Sequence, residues 1–275
     1  MAQKRSFDEY RVSDEFWERI RRLLPEYSVN PKGGRPRADL RNVVDGIFYC
    51  LRTGCQWKAI PPELCPGSTA HQYFQEWNEL GVFEELWALA LEEYDERQGL
   101  DWNWQSVDGA MTKAPLGGED TGPNPTDRAK SGTKRSLQTD AAGIPISLAV
   151  SGANVHDKRL LEPTLRYREE FGQKVPPHTE EHLCLDKGYD YPDVRELVDD
   201  IYEYTAHIRA RGEEARDLRR DAGRKARRWV VERTHGWLNR FRRILVRWEK
   251  KTENYFALLQ FACAYFTFQR AGVFG

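Results

Sequence analysis

Hydrophobic positions recur at helical spacing through the first hundred residues and at alternate positions after that. Phe16, Trp17, Ile20, Leu23 and Leu24 form one stripe behind Ser13, which is placed to cap a helix, and Pro25 ends it. Pro31, Gly33, Gly34 and Pro36 mark a linker from Tyr27 to Arg37. Leu40 to Leu51 is an apolar helix (Val43, Val44, Ile47, Phe48, Leu51), and Thr53-Gly54 stops it. Pro61, Pro62, Pro66 and Gly67 then break the chain. Ser68 is placed to cap a third helix that runs through Tyr73, Phe74 and Trp77 to Gly81. A fourth covers Phe83 to about Arg97, with Leu86, Leu89 and Leu91 inside.

From about Asp101 the period shortens toward two. Trp104 to Met111 reads as a strand, and Arg135 to Thr139 with Ile144 to Val150 reads as a hairpin. His182 to Asp186 and Tyr202 to Ile208 are two further strands. Helical stretches lie between and after them, over Asp157 to Glu169, Tyr191 to Asp199 and Arg216 to Val246. A meander followed by strand–helix alternation is an α/β domain. The expected organisation is a small all-α domain over 1–100 and an α/β domain over 101–275.

Composition narrows the class. The chain has 275 residues, 40% hydrophobic and 31% charged, with nine Trp, which excludes wholesale disorder. Its most apolar stretch, Tyr255 to Phe268, is too short to span a bilayer and reads as a core helix. No apolar signal core follows the N-terminus, so no secretion and no membrane association are expected. Five Cys without a Cys-x-x-Cys argue against a disulfide framework or a zinc site and fit a reducing cytoplasm.

Charge is uneven. The net charge is −1, yet Thr205 to Lys251 holds sixteen Lys and Arg against six Asp and Glu. Such a concentration suits an anionic partner, nucleic acid above all, or else a solvated helix face. The N-terminal helices fit a helix-turn-helix-like DNA reader with His71, Gln72 and Gln75 outward, or a bundle that only packs. The acidic run from Glu84 to Glu96 disfavours phosphate on its side.

Three acids stand out. Asp108 and Asp186 fall at strand ends, where open α/β sheets bind ligands. Glu232 lies in a basic helix, on a stripe with Lys225, Arg228, His235 and Asn239. Converging carboxylates would hold two hard divalent cations, the arrangement that displaces phosphodiesters. Each acid also has an ordinary reading. Asp108 beside Gly109 suits a turn, Asp186 suits a helix N-cap, and Glu232 suits an ion pair with Arg228. The Gly- and Pro-rich stretch from Lys113 to Lys134 lacks a P-loop and reads as a DNA-contacting loop or a mobile surface loop. His156 and His235 read as a structural and a helix-surface histidine.

At these residues the chain resembles the prokaryotic insertion-sequence transposases of the DDE class. The resemblance runs through Gly34-Arg35-Pro36-Arg37, Leu51 to Trp57, Ile60-Pro61 and Val107-Asp108-Gly109. It continues in the string from Lys113 to Arg128, then in Asn154 to Asp157, Leu185 to Asp190 and Val231 to Thr234. It implies a ribonuclease H-like catalytic domain, a mixed sheet flanked by helices, similar to retroviral integrase. Asp108, Asp186 and Glu232 would be its three catalytic, metal-binding acids. Arg228 matches the Arg that such proteins carry four residues before the Glu. The Tyr seven before and the Lys seven after are here Lys225 and Asn239, so those roles do not carry over.

The expected function is DNA transposition: hydrolysis at an element end, then attack of the freed 3′ hydroxyl on target DNA. Two Mg²⁺ ions, with Mn²⁺ as substitute, would serve both steps. Terminal inverted repeats and target DNA would be the double-stranded partners of a homodimer or higher multimer at the nucleoid. Lys113, Arg128, Lys130, Lys134, Lys225, Arg228 and Arg240 would hold phosphates. The rivals are a ribonuclease H-like nuclease that never joins strands and a non-enzymatic DNA-binding protein derived from a transposase.

Overall fold

The computed structural model describes residues 7–28, 36–171, 175–209 and 229–274. Contacts divide the chain into two compact units. One comprises residues 1–93, 240–246 and 253–275, and the other 94–239 and 247–252. The grouping differs from a cut at residue 100, because the C-terminal helix joins the N-terminal helices.

The first unit is helical. It contains α1 (Asp14–Arg21), α2 (Leu40–Thr53), α3 (Gly67–Glu79), most of α4 (Val82–Gln98), and two late helices described below. Ser13 caps α1 by accepting the Phe16 N–H, as its position predicts. Asp39 caps α2, and Gly54, in the left-handed region at φ 72°, stops it. The α3 cap differs from expectation: Pro66 is the N-cap and Ser68 lies inside the first turn. Gly67 explains the shift. A Cβ there would sit 1.9 Å from the Trp57 carbonyl oxygen, so only glycine lets α3 start against that backbone. We predict that Gly67→Ala lowers stability by about 2 kcal/mol or more, measured by urea unfolding. An unchanged midpoint would mean the Trp57 turn moves freely.

The unit's core is aromatic. Phe261 meets Phe16, Phe48 and Phe83 at ring separations of 5.9, 6.0 and 5.3 Å. Phe261 belongs to the long C-terminal helix (Thr252–Arg270), which is buried nearly all round. That is why it carries no amphipathic pattern: a helix apolar on every side is a core helix.

The second unit is built on one sheet, with β1 (Trp104–Lys113), β2 (Gly122–Pro123), β3 (Ser131–Thr139), β4 (Pro145–Gly152), β5 (His182–Asp186) and β6 (Thr205–Arg209). The order β4-β3-β1-β5-β6 is antiparallel across β4, β3 and β1, then parallel across β1, β5 and β6, with the short β2 also on β3. The hairpin between β3 and β4 is held by Asp140, whose Oδ1 accepts the N–H groups of Ala142 and Ile144. The crossover to β5 is α5 (Lys158–Glu170). That to β6 is α6 (Pro192–Arg195), which continues as a π-helical stretch, Glu196–Ile201.

One sheet face meets these crossovers. Val107, Leu183 and Leu185 pack with Leu161 and Leu165 of α5 and with Val194 and Val198. The alternation along β1 and β5 creates this face, and it turns Asp108 and Asp186 to the other side. Beyond β6 comes α7 (Trp229–Leu238). The single helix expected from Arg216 to Val246 is broken: α7 ends before Asn239, and α8 (Arg242–Leu245) restarts after Phe241. Residues 210–228, including Lys225 and Arg228, lie outside the described residues. The C-terminal helix is α9. Among the described residues no helix is long and apolar enough to cross a membrane.

Candidate active site

The site begins where two parallel strands part. The β1–β5 ladder pairs Trp104 with His182 and ends at Ser106 with Cys184. Two residues further on each strand stand Asp108 and Asp186, at the same level and on the same face. Asp108 is therefore inside a strand, paired in register with Leu137 of β3, and the turn reading does not hold. The carboxyl ends of parallel strands leave an open crevice there.

Asp186 keeps a capping role in a narrow form. Its Oδ1 accepts the Gly188 N–H at 2.7 Å and caps a single 3-10 turn, Lys187–Tyr189. Its Oδ2 takes no hydrogen bond among the described residues.

Helix α7 lies against β1 and β3 through its inner side. His235 is buried, which corrects its expected surface position, and its Nε2 is 3.2 Å from the Asp108 carbonyl oxygen. Burial and the Arg135 guanidinium push its pKa down to about 3, so the ring is neutral and Nε2–H donates to that carbonyl. One turn further, Asn239 Oδ1 accepts from Arg135 Nη2 at 2.6 Å. Arg135 is 2% exposed, and its Nε and Nη1 have no partner among the described residues. Glu232 lies one turn before His235 on α7 and is exposed. The structure thus brings Asp108 and Asp186 to one level. It does not gather Glu232 with them, for among the described residues no group of three or more His, Cys, Asp or Glu is arranged to hold a metal ion.

A fourth acid reaches β1 from its opposite face. Asp157, at the start of α5, rests against Gly109, where a Cβ would come within 2.2 Å of its Oδ1. Lys134 Nζ pairs with the same oxygen at 3.1 Å and donates to the Val155 carbonyl at 2.7 Å. Lys134, 7% exposed along its side chain, is therefore corrected: its ammonium is turned inward to Asp157 and is not a phosphate contact. Tyr189 completes the surroundings. Its ring is core and its hydroxyl is buried with no hydrogen-bond partner among the described residues. Burial, with the charges of Asp157, Asp108 and Asp186 on it, holds its pKa well above 10. Sequence reasoning passed over Tyr189 and Arg135, because nothing in their spacing marks a buried donor left unpaired.

The remaining cations differ in setting. Lys113 is mostly exposed and 3.5 Å from Asp127. Arg128 and Lys130 are exposed on the loop before β3, Arg128 in the left-handed region at φ 53°. Arg240 is exposed in the helical unit. His156 accepts the Lys158 N–H and meets Tyr191 edge-on, as a structural histidine does. In the helical unit, Gln75 donates to Asn254 at 2.8 Å, so it is already engaged within the protein.

The loop itself is tied down. Arg247 donates to the carbonyls of Glu119 and Asp120 and to Thr133 Oγ1. Thr252 N–H and Oγ1 donate to the carboxylates of Glu119 and Asp120. This is a fixed structure beside β3, not a mobile surface loop.

Three antiparallel strands continued by two parallel ones, with helical crossovers and acids at the parting of β1 and β5, define a ribonuclease H-like domain. Residues 105–267 match the transposase DDE domain family, and residues 12–87 match the putative transposases of the IS4/5 family. The chain belongs to the DDE transposase family, a class of enzymes that cleave DNA and transfer strands and use divalent metals.

A putative transposase for insertion sequence element IS402 from Burkholderia cepacia is 35% identical over 152 residues, 52% of this chain and 66% of the relative. An uncharacterized 16.2 kDa protein of insertion element IS402, also from Burkholderia cepacia, is 30% identical over 120 residues, 42% of this chain and 80% of its own. The catalytic domain of Mos1 mariner transposase is similar with a TM-score of 0.28 and 11% identity, covering 70% of this chain and 93% of that one. The chain spans about two thirds of the length of the first of these relatives.

The residues present fit a hard divalent cation. Mg²⁺ takes oxygen ligands, uses one or two protein carboxylates, and completes its shell with water and substrate phosphate. Asp108 and Asp186, side by side at the open end of two parallel strands, are donors of that kind.

Proposed function

We propose that this protein is a DNA transposase that cuts the phosphodiester at an element end and joins the freed 3′ hydroxyl to target DNA. The observation that carries this is the level pairing of Asp108 and Asp186 at the parting of β1 and β5, in a chain of the DDE transposase family. Asp108, Asp186 and Glu232 are the catalytic acids. Asp108 and Asp186 would hold Mg²⁺, or Mn²⁺ in its place, and Glu232 would join them when DNA is bound. The ions supply charge neutralisation at the reacting phosphate and activation of the attacking oxygen. His235 keeps a neutral ring against the Asp108 carbonyl and so fixes the α7 turn that follows Glu232. Gly188 N–H holds one Asp186 oxygen, and the other takes no hydrogen bond among the described residues.

Double-stranded DNA, as terminal inverted repeats and target, is the substrate. Lys113, Arg128, Lys130 and Arg240 would contact its phosphates, which set register without reading sequence. Lys225 and Arg228 would join them from the basic segment. The protein would act at the nucleoid, as a dimer or larger assembly, because two ends must meet.

The test is incubation of the purified chain with Mg²⁺ and DNA carrying its gene and natural flanks. Cuts at paired inverted repeats are expected. Metal-dependent cuts scattered along the DNA would mark a plain nuclease instead, and binding to the flanks without any cut would mark a DNA-binding protein.

A further inference from the structure

The helix that carries Glu232 is seated on the sheet at two places. Toward its C-terminal end, His235 bonds the Asp108 carbonyl, and Asn239 just beyond accepts from Arg135. Toward its N-terminal end, α7 rests on the turn between β3 and β4. That turn is rigid. Asp140 is fully buried, and its Oδ1 accepts the Ala142 and Ile144 N–H groups at 2.9 and 2.7 Å. Its backbone carbonyl accepts the Gly143 N–H, and its own N–H donates to the Ile144 carbonyl. So fixed, the turn presents two successive carbonyls to α7. Arg233 Nη2 donates to Ala142 at 2.8 Å, and Thr234 Oγ1 donates to Gly143 at 2.7 Å.

The approach is close. Gly143 is in the left-handed region at φ 91°. A Cβ on it would stand 2.8 Å from Thr234 Oγ1 and 3.2 Å from both Arg233 Nη2 and Val230 Cγ1. Glycine lets the helix come this near. Thr234 is 0% exposed, whereas Glu232 is exposed. Two residues along a helix are turned by about 200°. The bond that seats Thr234 on the turn therefore sets Glu232 on the open side of α7. A slip of one residue would rotate every side chain by about 100° and break both bonds together. Arg233 is clamped as well, its guanidinium 4.5 and 4.6 Å from the Trp229 and Trp237 rings.

We infer that Thr234 is a positioning residue for Glu232, with Arg233 as its surface partner: their bonds to the turn 140–143 key α7 to one rotational setting on the sheet. The inference rests on the reading of Glu232 as the third acid. It goes beyond that reading by naming what fixes the acid's helix, on residues that the three-acid pattern does not contain. A hydrogen bond to a carbonyl of another element is directional, so it resists rotation in a way that apolar packing does not. Misplacing a reacting group by about 1 Å costs about a hundredfold in rate.

The test compares Thr234→Val with Thr234→Ser in the full chain. Valine keeps the shape and loses the donor, and serine keeps the donor. With Mg²⁺ and saturating DNA carrying the gene's natural flanks, Thr234→Val should cut about 10–100-fold more slowly, and Thr234→Ser within about threefold of the wild type. DNA affinity should be unchanged in both. A second readout needs neither metal nor DNA. Amides of α7 should exchange about tenfold faster or more in Thr234→Val than in the wild type, while those of α5 keep their rate. Should Thr234→Val fail to fold, Arg233→Met tests the same contact from the surface. It keeps an apolar stem and loses the bond to Ala142, and slower cutting with faster α7 exchange is expected.

With Glu232→Gln inactive, a Thr234→Val protein that cuts like the wild type overturns this inference alone. So do α7 amides that keep their wild-type exchange, an Arg233→Met protein equal to the wild type in both readouts, or a Thr234→Ser protein as slow as Thr234→Val. In that last case the hydroxyl is not what matters. A wild type that does not cut, or a Glu232→Gln protein that cuts like it, overturns the underlying reading and this inference with it.

Discussion

Replacing Asp186 by Asn should abolish DNA cleavage while leaving the fold and DNA binding in place. Asn keeps an acceptor at Oδ1 for the Gly188 N–H, so the turn Lys187–Tyr189 still forms. What changes is Oδ2, which becomes an amide that donates where a cation needs an anionic oxygen. The expected loss is on the order of a thousandfold or more in the single-turnover cleavage rate, beyond the 10–100-fold typical of partners outside the shell. DNA affinity, set by Lys and Arg contacts to phosphate, should hardly move. Cleavage that survives this change would remove Asp186 from the centre.

The largest expected effect on stability lies elsewhere, at Arg247. Its guanidinium is 1% exposed and donates to the carbonyls of Glu119 at 2.6 Å, Glu249 at 2.9 Å and Asp120 at 3.2 Å, and to Thr133 Oγ1 at 3.1 Å. These acceptors lie on the loop before β3, on β3 and on the segment that follows α8. Arg247→Ala would strand several buried oxygens at once and leave a void where the side chain packs. Breaking such a buried network costs about 3–5 kcal/mol. In a chain of this size that lowers the melting temperature by about 10 °C. Amides from Lys113 to Lys134 should then exchange faster than those of α5. A loss under about 1 kcal/mol would show that the loop is held by other means.

The strands were legible because their two faces differ in polarity. Val107, Leu183 and Leu185 alternate with Asp108, Cys184 and Asp186, and the sheet keeps that alternation. Helix caps were legible where a side chain does the capping, as at Ser13. At α3 the decisive fact is a clash with the Trp57 carbonyl, which no local pattern announces. The break at Asn239 was hidden because Arg240, Arg242 and Arg243 continue the helical composition beyond it.

The site was legible in its acids and illegible in their setting. Asp186 could be named from its strand end, and Asp108, which lies inside its strand, from the resemblance. That they share a level depends on the β1–β5 register, a long-range fact. Lys134 reads like any cation of the loop, yet register turns it toward Asp157. His235 repeats with Glu232 and Asn239 on a polar stripe, yet His235 and Asn239 bond to the sheet while Glu232 stays exposed. Tyr189 gave no signal, since an aromatic at that spacing usually marks only core.

Strand joining tests the central claim most directly. A short duplex ending in the terminal repeat, already cut to expose its 3′ hydroxyl, would be incubated with the protein, Mg²⁺ and a supercoiled plasmid. The account predicts joined products with the wild type, and none with Asp108→Asn, Asp186→Asn or Glu232→Gln. Plasmid that is nicked but never joined, or joining that persists in any of the three variants, would contradict a single three-acid centre that both cuts and joins DNA.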